Sequence, residues 1–256
     1  MGKDSKIAWT DHTWNPWVGC NKVSAGCENC YMFRDQKMFG NDPTEIRRTK
    51  KKTFQSPFRW KEPSRIFVCS WSDFFHPAIP EGWVHDALDV IFGNQHHTFL
   101  FLTKRPENIR NVISDEEWYQ YPNIWLGVTA ENQEMADKRI PLLLDVPAKI
   151  KFISAEPLLG KINLWGNESG LVGSRDWNGK QTFIEGLDWV IAGGESGHNC
   201  REMKYEWAEF LKNQCKNANV PFFMKQMTGN TKEKRENIPE DLMIREFPNG
   251  NNQNPS

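Results

Sequence analysis

The chain has 256 residues, enough for one large α/β domain or two small ones, so its fold needs no disulfide support. A formal net charge of −1 sets up no global field toward nucleic acid, and no run of eighteen apolar residues suggests a membrane span. The opening MGKDSKIAWTDHTW has neither an apolar stretch of signal-peptide length nor a myristoylation pattern, which points to a cytoplasmic protein without a lipid anchor.

The first marked stretch is WNPWVGCNKVSAGCENCY, residues 14 to 31. WNPWVG reads as a first strand, and Cys20, Cys27 and Cys30 follow it in a loop where Gly19 and Gly26 permit close approach to a ligand. In a reducing compartment such a cluster points to metal rather than to a disulfide. Three thiolates are too few for a closed structural zinc site unless His12, His76 or Cys69 completes it. A cubane [4Fe-4S] centre held by three cysteines would instead leave one iron open to an exogenous molecule. S-adenosylmethionine could chelate that iron and be cleaved to a radical. Cys69 and Cys215 read as core residues, while Cys200 is a candidate hydrogen-atom donor near a pocket. Next comes RRTKKKTFQSPFRWK, residues 47 to 61, which interleaves cations with Phe54, Phe58 and Trp60, a composition able to grip phosphates and stack on bases, or equally to form a solvated helix end.

Short apolar runs then recur at 65–73, 97–105, 124–132, 149–157, 187–196 and 220–226, near-continuous enough for parallel strands covered on both faces. Helical faces lie between them, one through Val84, Ala87, Leu88 and Ile91, another through Met203, Trp207, Phe210 and Leu211. With WNPWVG the strand count reaches seven, which favours a (β/α) barrel, complete or partial and TIM-barrel-like, as a single domain over 1–247. Residues 166–186 read as a polar insertion, and 248–256 as a disordered tail. Polar or ionisable residues follow each apolar run: Cys20, Asp73, Lys104, Glu131, Glu156, Glu195 and Lys225. In a barrel these ends converge on one face. His96 and His97 fall at the opposite end. The twelve tryptophans exceed what a core readily uses, so some are expected to line a pocket or a partner surface.

At the strand ends, Glu131 and Asn132 are candidates for a ribose, Glu156 for a ribose or a base, and Lys104, Arg105, Lys225 and Gln226 for a carboxylate or phosphate. Asn132 alone would serve as well as a helix cap. In GGES, Gly193 and Gly194 would admit a ligand, with Glu195 and Ser196 in the pocket. The catalytic candidates are Glu156, Glu195 and Lys225.

The ordered set KIAWTDHTWNPWVGCNKVSAGCENCY, SWSDFF, LTKRPENI, GVTAENQ, SAEPLLG, GGESG and PFFMKQ resembles a bacterial and phage-encoded family of domains of unknown function. That family carries a three-cysteine motif and is regarded as radical-SAM-like. The resemblance implies a radical-SAM-like barrel with a [4Fe-4S] cluster on Cys20, Cys27 and Cys30. The first cysteine interval is longer than in ordinary radical SAM enzymes, and Tyr31 follows the last cysteine rather than preceding it. GGES lies after the sixth strand, not the second, so its likeness to the motif that binds the methionyl amino group is not carried over. By position, Ser70, Ser72 or Asp73 after the second strand takes that contact. The expected function is SAM cleavage acting on an unidentified substrate, a nucleotide or nucleic acid among them. The alternatives are a zinc-stabilised nucleic-acid-binding module engaging its partner through 47–61, and a catalytically inactive barrel serving as a protein partner subunit.

Overall fold

The computed structural model describes residues 5, 7–165 and 183–248, so most of the expected insertion and the tail lie outside the described residues. The chain divides into two compact units, the first made of Met1–Gly127 with Val146–Lys149, the second of Val128–Asp145 with Ile150–Asn254.

In the first unit, β1 (His12–Trp14) is followed by β2 (Trp17–Val18), α1 (Tyr31–Met38), β3 (Arg47–Arg48), α2 (Lys51–Phe54), β4 (Arg65–Val68), α3 (Glu81–Phe92), β5 (Thr98–Thr103) and α4 (Ile109–Val112). β6 (Ile124–Thr129) begins in this unit. β1 pairs in parallel with β4, setting Thr13 against Phe67, and β4 pairs in parallel with β5, setting Phe67 against Leu100. WNPWVG is therefore not the sheet strand. The ladder strand stops at Trp14, because Pro16 has no N–H to give a neighbour, and Trp17–Val18 turns away to pair antiparallel with β3. Aromatic rings fill the core: Phe74 stacks on Phe101 with centroids 4.4 Å apart, and Trp17 lies 5.0 Å from Phe74. Trp9, Trp14, Trp17 and Trp118 are buried, so the tryptophan excess is spent on the interior more than expected.

The second unit holds α5 (Gln133–Leu144), β7 (Ile150–Ala155), β8 (Trp189–Gly193), α6 (Tyr205–Ala218), β9 (Phe222–Gln226) and α7 (Lys232–Glu236). β7, β8 and β9 run parallel, with Ile153 opposite Val190 and Ile191 opposite Phe223. β8 is buried at every position, as its unbroken apolar run requires. Met203 is buried but precedes α6, whose inner face is Ala208, Leu211, Gln214 and Cys215; Trp207 and Phe210 are only half-buried. Trp165 bridges Phe183 in antiparallel fashion.

Seven strands are hydrogen-bonded in the linear order β1, β4, β5, β6, β7, β8, β9. The order has two ends, so the complete form of the expected barrel does not apply. Among the described residues no helix is long and apolar enough to cross a membrane.

Candidate functional site

The cysteine loop of the first unit is built on the strand ends. Gly19, at φ +103°, donates its N–H to the Trp71 carbonyl at 3.0 Å, while Ser72 Oγ donates to the Gly19 carbonyl at 2.7 Å. A Cβ on Gly19 would lie 2.2 Å from the Glu45 carbonyl oxygen, so only glycine lets the chain pass here. Asn15 accepts from the Trp71 N–H at 2.8 Å and donates to Ser70 Oγ at 3.0 Å; Tyr31 Oη donates to the Ser70 carbonyl at 2.7 Å. Ser70 and Ser72 thus fasten the loop. Sequence reasoning gave Asn15 no role and noted Tyr31 only for its place after the last cysteine, although an asparagine set between tryptophans was a usable signal for a buried polar contact.

Asp73 is buried and fully engaged. One carboxylate oxygen accepts from Thr103 Oγ1 at 2.7 Å and from the Phe75 N–H at 3.0 Å, the other from the Lys104 N–H and from Arg105 Nη1, both at 3.1 Å. Arg105 continues to the loop, donating through Nη2 to the Asn21 carbonyl at 2.8 Å and through Nη1 to Cys20 Sγ at 3.7 Å. Asn21 Nδ2 lies 3.3 Å from His76 Nε2.

All six cysteines are free. Burial, seconded by the Asp73 charge, pushes the Cys20 thiol up to about 11. Burial also raises Cys30, against backbone N–H groups of Met32 and Phe33 at the start of α1 and the nearby Lys104 charge. The Cys27 thiol is close enough to act electrostatically on both Cys20 and Cys30. Among the described residues no three His, Cys, Asp or Glu side chains are gathered as ligands of one metal ion. A cubane takes one thiolate per iron, so its ligands stand farther apart than those of a single ion. Ser24, between Cys20 and Cys27, buries its hydroxyl without a hydrogen-bond partner. A buried donor without a partner in the cysteine loop fits a group that brings its own sulfur acceptors. Cys69 is buried at the end of β4 with φ +61°, and Cys215 lies in the α6 core, both as expected.

In the second unit the predicted residues meet protein partners. Glu131, fully buried, accepts from Arg139 Nη1 at 2.8 Å. Asn132 caps α5, accepting from the Met135 N–H at 3.0 Å. Glu195 accepts from the Arg201 N–H at 2.8 Å and from its Nε at 3.0 Å. Lys225 donates to Glu156. The glycines of GGES accommodate the chain itself. A Cβ on Gly194 would sit 2.3 Å from the Thr228 nitrogen, and one on Gly193 would touch Lys225 and Glu156. Ser196 bridges Gly229. Cys200, half-buried, precedes Arg201.

The family model described as "Protein of unknown function (DUF5131)" matches residues 4–250. The chain belongs to this family. No curated protein matches it. Among solved structures this DUF5131 chain is similar to a cysteine-to-serine mutant of spore photoproduct lyase, with 14% identity and a TM-score of 0.49, covering 86% of this chain and 65% of that one. It is also similar to the lyase complexed with dinucleoside spore photoproduct, with 14% identity and a TM-score of 0.44, covering 77% of this chain and 58% of that one. A double mutant of the lyase with bound AdoMet and dinucleoside spore photoproduct aligns at 12% identity and a TM-score of 0.44, covering 80% of this chain and 61% of that one. The DUF5131 chain therefore spans less than two-thirds of the length of these lyases.

Within the DUF5131 chain, the strand-end ion pairs differ in access. Side-chain exposures are 7% and 7% for Arg105 with Asp73, 3% and 0% for Arg139 with Glu131, but 18% and 17% for Lys225 with Glu156. Of these three, only the last has both side chains partly exposed.

Proposed function

We propose that the chain is an iron-sulfur enzyme in which Cys20, Cys27 and Cys30 each give one thiolate to a [4Fe-4S] cluster, leaving one iron open to S-adenosylmethionine. When bound, the cluster supplies the electron for reductive cleavage of that cofactor to a radical. The observation that carries the reading is one loop with three free thiols, pinned through Gly19 and Ser72 to the end of β4, with Cys27 acting on both neighbours and a partnerless buried hydroxyl in the same loop. This arrangement supports a one-thiolate-per-iron cluster over the zinc alternative. Ser70, Ser72 and Asp73 serve the loop rather than a ligand, and Glu156 with Lys225 is the pair left to meet a substrate.

Anaerobically reconstituted protein is expected to hold iron and sulfide, and its reduced paramagnetic signal should change when S-adenosylmethionine is added. Cys20→Ala, Cys27→Ala and Cys30→Ala should each lose the cluster while far-ultraviolet circular dichroism stays close to that of the parent. Glu156→Gln should keep full iron. Stoichiometric zinc in a colourless protein, or a complete cluster in Cys20→Ala, would sink this reading.

For the substrate class we propose a nucleotide or nucleic acid engaged through residues 47–61. Lys50, Lys51 and Lys52 are exposed, with no acidic partner among the described residues, and Phe58 is 43% exposed beside them. Arg48 is already spent on Asp86 at 2.6 Å, and Arg59 on the Lys52 carbonyl at 2.7 Å. Replacing the three lysines by alanine should therefore weaken single-strand binding and flatten its salt dependence by about 2 in log–log slope. An unaltered slope clears the stretch.

A further inference from the structure

Arg105 is placed where an arginine fixed by its own counter-ion meets a proposed ligand sulfur. Its side chain is 7% exposed, and the carboxylate that holds it carries four donors on two oxygens, so the guanidinium cannot swing away. What the pair leaves over is directed at two consecutive residues of the cysteine loop: Nη2 at the Asn21 carbonyl, 2.8 Å, and Nη1 at Cys20 Sγ, 3.7 Å. A guanidinium has a planar fork of N–H groups and stays charged at any pH a protein survives. An ammonium in its place would keep the charge but could not span carboxylate, carbonyl and sulfur with the same fixed fork.

We propose that Arg105 is a positioning residue that holds Cys20 as a cluster ligand and raises the reduction potential of the cluster; this rests on the iron-sulfur reading above. Reduction adds one negative charge to the cluster. A fixed cation and an N–H donor at a ligating sulfur stabilise that charge, and cluster potentials respond to net charge and to hydrogen bonds on sulfur. Asp73 acts through Arg105 by fixing its orientation.

The test compares anaerobically reconstituted parent, Arg105→Lys, Arg105→Gln and the charge-balanced Asp73→Asn/Arg105→Gln in a potentiometric titration followed by electron paramagnetic resonance, with iron counted in each. Arg65→Gln serves as control, since it breaks a comparable pair with Asp11 at 3.2 Å in the same unit without touching the loop. Arg105→Gln should shift the one-electron equilibrium about tenfold toward the oxidised form, which is about 59 mV lower. Arg105→Lys should fall between it and the parent, and the control should match the parent. If Arg105→Gln does not fold, the double variant, which leaves no unpaired buried charge, is expected to show the same lowering. Parent-like potentials at full iron content in the folded Arg105 variants would overturn the role of Arg105 and leave the cluster standing. A parent protein that takes up no cluster would overturn both.

Discussion

His97 shows how one residue reports on its surroundings. Its Nε2 lies 3.1 Å from the Trp60 carbonyl and 3.3 Å from that of Pro57, both acceptors, so this nitrogen carries the proton. Nδ1 is buried without a partner, and a second proton there would have nothing to bond. Burial, followed by the neighbouring His96 ring, accordingly holds His97 below the ordinary imidazole value. His76 is lowered in the same direction by burial and by the Arg105 charge. In the unfolded chain both rings take up a proton near pH 6.5. The unfolded state then binds more protons than the folded one, so stability is complete above that pH and declines as pH falls toward the depressed folded values. Urea midpoints measured between pH 7 and pH 5 should drop, and His97→Gln should lessen the drop. Parallel curves for parent and variant would assign the loss to other groups. The adjacent histidines were legible in the sequence as lying away from the strand ends that carry the site, and the structure puts them just before β5.

Among the elements, α6 was legible as a helix before the last strand, but of its expected face through Met203, Trp207, Phe210 and Leu211 only Leu211 lies on the buried side of the helix. Gln214 on that buried side was not legible, because a polar letter gives no hint of what it meets in space. Its Oε1 accepts from the Leu164 N–H at 2.6 Å, and its Nε2 donates to the Ile162 carbonyl at 2.9 Å, completing the backbone of a segment that belongs to no strand. Gln214→Leu keeps the volume roughly and strands both groups, which should cost about 1–3 kcal/mol for each group left unsatisfied. Chemical denaturation measures it, and a loss under half a kcal/mol, roughly the spread of neutral surface changes, would show that water replaces the amide. The six later strands were readable for a related reason. Runs covered on both faces must be apolar throughout, whereas the first strand is only three residues long and its signal was overshadowed by the tryptophans beyond Pro16.

Across the whole molecule, the positions of the ionisable strand ends were legible and their state was not. Asp73, Glu131, Glu156 and Glu195 each follow an apolar run, yet each is matched with a cation, at separations along the chain from 6 residues for Arg201 to 69 for Lys225. No local pattern announces a partner that distant. The three cysteines were legible because spacing within one loop is a local property; the arginine on Cys20 comes from 85 residues away. The last described residues bear on a different matter. β9 is the final strand of the order, but Met224 donates to the Ile244 carbonyl at 2.8 Å and Glu246 to that of Phe222 at 3.0 Å, while Phe247 packs 5.3 Å from Trp189. A bare parallel edge of Phe, Phe and Met would be a template for any extended chain that met it, and so a seed for aggregation. Residues 244–247 occupy that row of backbone groups first, closing this edge to strangers with the protein's own chain.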